Sequence, residues 1–88
     1  MLSWGMTLEV FGSTITVNVY DQRDKLAVLA DSSIAQMLLD AHDIEEPVAV
    51  DGHKCLVTYI EDLDLHGVYT DKDVHFLEVI FSPLSPLH

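Results

Sequence analysis

Basic residues are scarce: 4 Lys and Arg stand against 15 Asp and Glu, a formal net charge of -11 over 88 residues. A chain so poor in cations displaces few counterions from a polyphosphate and has little attraction for an anionic bilayer, which argues against direct nucleic-acid or membrane binding. The single cysteine, Cys55, excludes an internal disulfide. No apolar run approaches the roughly 18 residues that cross a bilayer, and the start MLSWGM lacks the basic region of a secretory signal. The expected location is the cytoplasm, or a virion into which the protein is built, and not export by a signal peptide. There are four glycines, and two of them sit in hairpin turns, so little remains to build a phosphate-cradling loop. What the chain does have is apolar residues, 49% of the total, enough to exclude a mainly disordered protein. Its length accommodates one domain and one core.

Ile34, Met37, Leu38 and Ala41 recur at helical spacing and predict a helix over 33–44, opened by a capping box of Ser33 and Gln36. His42 falls in its last turn, where an imidazolium suits the helix dipole. Gln36, Asp40 and Asp43 form one polar stripe and leave an apolar arc of roughly 220°, wider than one sheet face would cover. Upstream, residues 7–30 read as three antiparallel strands. A type II′ turn at Gly12-Ser13 pairs Val10 with Ile15 and Leu8 with Val17. A turn at 21–24 then sets Val19 against Leu26 and Val17 against Val28. In that register Leu8, Val10, Ile15, Val17, Val19, Leu26, Val28 and Ala30 share one face, and Phe11, Tyr20 and Leu29 are apolar exceptions on the other.

Downstream, residues 48–50 and 53–60 flank Asp51-Gly52, a strong hairpin signal. Residues 61–67 read as an exposed edge or loop and 70–73 as a turn. Residues 74–81 form a last strand with apolar residues on both faces, as a central strand has. Pro83 stops it, and 82–88 (SPLSPLH) form an extended, proline-bound arm. These elements predict one α+β domain over 1–81. Its mostly antiparallel sheet, in the order β-β-β-α-β-β-β, packs on one central helix.

The residues that could carry chemistry do not assemble into a known pattern. His53 and Cys55 lie two apart on a strand and both types ligate zinc or copper, but a structural site needs four ligands and no third has suitable spacing. Asp62-x-Asp64 and Asp71-x-Asp73 resemble the start of a cation loop, yet neither continues with the glycine and glutamate of an EF-hand. No nucleophile elbow or metalloprotease motif is present. The expectation is therefore a protein that is not an enzyme and holds no cofactor or metal. Its surplus apolar residues, Trp4, Phe11, Tyr20, Leu29, Phe81, Leu84 and Leu87, point to protein partners, including copies of itself. Its function is then that of a non-enzymatic structural or adaptor subunit in a larger assembly. The alternative is a small acidic inhibitor that mimics nucleic acid and blocks a basic DNA- or RNA-binding protein, presenting Glu61, Asp62, Asp64, Asp71 and Asp73.

A hairpin, one helix and further strands ending in DKDVHFLEVI resemble the small ubiquitin-like β-grasp proteins such as the sulfur carriers. That resemblance implies a β-grasp-like sheet around the helix. The carriers are activated at a terminal Gly-Gly, whereas this chain ends PLSPLH, so the carrier activity does not follow. The FG-STITV start and the VDG hairpin are similar to small phage head-to-tail joining proteins, which implies a joining role in a virion.

Overall fold

In the computed structural model, which describes residues 3–63 and 73–84, strands β1 (Ser3–Val10) and β2 (Ser13–Asp21) are joined by Phe11-Gly12. Both turn residues have positive φ, 50° and 79°, as a type I′ turn requires. Val10 therefore pairs with Ser13, Leu8 with Ile15 and Met6 with Val17. A Gly12-Ser13 turn would give a register two residues away. The shift leaves the same side chains facing inward, because strand side chains alternate with period two. The next turn behaves alike. Gln22 N–H donates to Lys25 O at 3.0 Å, so the turn closes on Arg23-Asp24 and Val19 meets Val28 on β3 (Leu26–Ala30). β1 also starts at Ser3, which makes Trp4 a strand residue.

Helix α1 (Ser32–Asp43) begins one residue before the predicted box. Asp31 is the N-cap, its carboxylate accepting the Ile34 N–H at 2.8 Å, while Gln36 donates instead to Asp40 at 2.9 Å. Ala35, Leu38 and Ala41 are buried, and Ile34 and Met37 pack at the margin of the core. The chain then enters β4 (Val48–Val50), turns at Asp51-Gly52 with φ of 50° and 89°, and continues as β5 (His53–Leu63). This is a second type I′ hairpin. β6 (His75–Pro83) is central, paired with β3 on one side and β5 on the other. A bulge at Thr58 shifts the β5–β6 register, so that Cys55 and Val57 face inward before it and Ile60 after it.

The predicted α+β architecture, a mostly antiparallel, β-grasp-like sheet packed on one central helix, is not what forms. The six strands close in the order β1-β2-β3-β6-β5-β4 into an antiparallel barrel. The helix explains why. It offers the core one leucine and two alanines, too little apolar surface to cover inward-facing residues on all six strands. Curling the sheet on itself buries Met6, Leu8, Val10, Val17, Val19, Val28, Val57, Leu77 and Val79 against one another, and six strands leave an interior that side chains fill. Closure depends on β4, whose Ala49 and Val50 pair with Glu9 and Leu8. Asp51 extends the seam. Its N–H donates to Thr7 O at 2.8 Å, and its carboxylate accepts the Thr7 N–H at 3.0 Å. The pairings divide the barrel into two meanders, β1-β2-β3 and β4-β5-β6, joined at the β1–β4 and β3–β6 seams. α1 links the end of β3 to the start of β4 and turns Ala35, Leu38 and Ala41 into the core there, so it plugs that end of the barrel.

Candidate functional site

β5 outruns β4 by eight residues, which leaves backbone groups on its β4 side without a strand partner among the described residues. Helix α1 lies over this edge. His42 Nδ1–H donates to Val57 O at 2.8 Å, the next carbonyl in the ladder beyond the Val48–Cys55 pair. Covering an edge with a helix prevents stray strand pairing there. His42 thus has a structural partner that its position in the last helical turn did not reveal.

At the other end of α1, four polar side chains from three segments meet. The Ser32 hydroxyl donates to Asp73 Oδ1, and the Ser32 N–H donates to Asp73 Oδ2 at 3.0 Å. His75 Nε2 lies 3.1 Å from Ser32 Oγ and 3.6 Å from Asp73 Oδ1, and its Nδ1 donates to Asp62 Oδ2 at 2.9 Å. The Ser32 hydroxyl and N–H, with a smaller contribution from His75, hold the Asp73 carboxyl below its usual range. Asp62, His75 and Ser32 have the connectivity of a nucleophile relay. Asp73 diverts it. The hydroxyl proton points at Asp73 rather than at His75, and the Ser32 N–H that would face an oxyanion is occupied by the same carboxylate. The network instead clasps the start of α1 to β5 and β6. A wide-mouthed cleft of about 400 Å³ opens beside it, lined by Asn18, Leu29, Asp31, Ile34 and Asp73 among others.

On the outer wall, Tyr20 and Phe76 stack with centroids 6.5 Å apart, flanking buried Ala27. Leu29 is half-buried as the partner of Phe76. Lys25 Nζ sits 5.0 Å over the Tyr59 ring and 4.0 Å from Glu78. The Tyr59 hydroxyl donates to Glu61 at 2.5 Å, and that bond, with partial burial and the nearby carboxylates, raises its pKa to about 12. Glu61 and Asp62 are therefore engaged locally. Phe81 faces inward and packs on the core. Asp64, Asp71 and Leu87 lie outside the described residues.

Three of the expected contact residues do stand out as exposed apolar groups: Trp4 at 38%, Phe11 at 46% and Leu84 at 39%. Ile44, at 63%, joins them; its place at the helix C-cap, beyond the buried stripe, was the available signal. The fold sorts the four by end. Phe11 and Ile44 lie at the helix-plugged end, whereas Trp4, at the start of β1, and Leu84, whose N–H donates to Lys54 O at 3.1 Å, lie at the opposite one. Charge is sorted in part. Among the described residues the only Lys and Arg, namely Arg23, Lys25 and Lys54, are at the Trp4 end, together with Asp21 and Asp24. The plugged end carries Asp31, Asp40, Asp43, Glu45, Glu46 and Asp73. His53 is exposed and Cys55 buried, its thiol 3.5 Å from His53 O and its pKa pushed up by burial. Among the described residues no helix is long and apolar enough to cross a membrane. Comparison with protein families, with curated proteins and with solved structures returns no match to this chain.

Proposed function

We propose that this protein is a non-enzymatic adaptor subunit that joins neighbours at the two ends of its barrel. The observation that carries the reading is Phe11. A bulky side chain at positive φ is strained by about 1 kcal/mol or more, and the matching position of the second hairpin holds Asp51, a residue that tolerates such a backbone. An aromatic kept exposed at a strained turn serves something other than the fold. Trp4 and Leu84 give the opposite end an apolar contact of its own, and two separate contacts are what a joining subunit needs. A joining role in a phage particle is one setting for such a subunit.

The test is the composition of the complex recovered from the native source. Phe11→Asn should release one neighbour, and Trp4→Ser with Leu84→Ser the other, each without unfolding the barrel. A strict monomer at high concentration with no partner recovered would overturn the reading. A second reading, an acidic nucleic-acid mimic, draws on the segregation of charge toward the plugged end. Charge reversal at Glu61, Asp62 and Asp73 that left binding to basic DNA-processing proteins unchanged would remove it.

A further inference from the structure

We infer that one neighbour at the Trp4 end is a second copy of this chain, added edge to edge along the first residues of β1. This rests on the adaptor reading and gives it a partner.

Antiparallel ladders alternate the direction of their backbone groups. Thr7 N–H and C=O point toward the β4 side, where both bond to Asp51. Two and four residues earlier, Gly5 and Ser3 must point their N–H and C=O groups the same way. Among the described residues no strand meets them there, because β4 reaches β1 only at Leu8 and Glu9. The barrel is closed over half of β1 and open over the rest. Such an edge is a template for another strand.

Charge selects the occupant. The chain repels its own copies, with a net charge of -11, yet its first eight residues, MLSWGMTL, carry no charged side chain. Pairing β1 with a second β1 in antiparallel sense brings the two uncharged segments together and sends the two acid-rich plugged ends to opposite extremes of the dimer. A two-fold axis at Trp4 sets Ser3 against Gly5 of the second copy, and Gly5 against its Ser3, for about four hydrogen bonds. The two Trp4 residues then form a close cross-strand pair of the non-hydrogen-bonded type, about 4.5 Å between Cα atoms. That would cover Trp4, left 38% exposed in one chain.

Trp4 is the only tryptophan, so the contact reports itself. On raising protein concentration in light scattering, mass should move toward the dimer while Trp emission shifts to the blue and an exciton couplet grows in the near-ultraviolet circular dichroism. Added salt should strengthen the dimer by screening self-repulsion, the opposite of its effect on an acidic protein bound to a basic one. Gly5→Pro removes an edge-facing N–H without touching the β1–β2 ladder and should raise the dissociation constant at least about tenfold. Gly5→Asp keeps the N–H and adds repelling charge at a site where a Cβ would meet only Thr16 Cγ2 at 3.7 Å, so it checks the result should proline disturb β1. Concentration-independent mass and emission for the wild type would overturn the inference, even where another partner is recovered and the adaptor reading stands. A dimer indifferent to both Gly5 variants would overturn it as well.

Discussion

Replacing Leu38 by alanine tests whether α1 is the plug of the barrel. Leu38 has no exposed surface and sits between Ala35 and Ala41 on the face turned into the core. The strand residues of the core that it joins belong to a closed wall that cannot move in to fill the gap. The lost transfer energy of a buried leucine and the residual cavity together should cost about 3 kcal/mol, toward the middle of the range for such changes. For a chain of this size that lowers the melting temperature by about 15 °C. Thermal unfolding followed by circular dichroism, paired with urea titration, measures it. The control is Ile44→Ala at the C-cap of the same helix, where 63% of the residue is in solvent and the change should stay within about 0.5 kcal/mol. Equal losses at the two positions would refute the plug, since a helix enclosed all round would feel both. A loss at Leu38 below about 1 kcal/mol would refute the tight core.

Four further outcomes follow from the geometry. Phe11→Asn should raise stability by about 1 kcal/mol, because Asn accepts positive φ in a type I′ turn, and an unchanged urea midpoint would show that the turn is unstrained. Tyr59 should ionise near pH 12 when absorbance is followed at 295 nm, and Glu61→Gln should bring it down. Its phenol pKa is raised above the unfolded value of about 10, so the stability it contributes is complete below that pH and is lost as pH climbs toward 12. Asp73 runs the other way. With its folded pKa depressed, its contribution is present above the unfolded value near 3.9 and is lost as pH falls through the folded one; Asp73→Asn should flatten the acid limb of the stability profile. Cys55 should resist a thiol reagent in the native protein and react on unfolding, and rapid native labelling would contradict its burial.

Much of the core was legible because alternation is a local property. Leu8, Val10, Val17, Val19, Val28 and Ala30 face inward although both early turns close at positions other than those expected. The turn chemistry misled for a physical reason. Gly12 suits the first position of a type II′ turn, but it suits the second position of a type I′ turn equally, provided that Phe11 tolerates the strain. The helical spacing places the helix to within one residue, and the cap falls on Asp31 rather than Ser33 because Asp31, Ser32 and Ser33 are all competent N-caps in a row. Of the expected contact residues, Trp4, Phe11 and Leu84 are exposed, whereas Phe81 faces inward, since its side of β6 depends on how β5 and β3 flank that strand.

By itself the sequence determined the two faces of each strand, the glycine-bearing hairpins, the helix with its apolar stripe, and an excess of acid that leaves few surfaces able to meet a like-charged copy. These follow from side-chain period, backbone propensity and composition, which act over a few residues or over none. Only the tertiary structure decided closure. The β1–β4 seam joins Leu8 to Val50, and the clasp joins Ser32 to Asp73 and His75. Such pairings span some forty residues, and no local pattern encodes them. They arise because a helix with one leucine and two alanines facing the core cannot cover six strands, so the sheet must cover itself. The same closure, stopping halfway along β1, leaves Ser3 and Gly5 without a strand partner on the β4 side among the described residues.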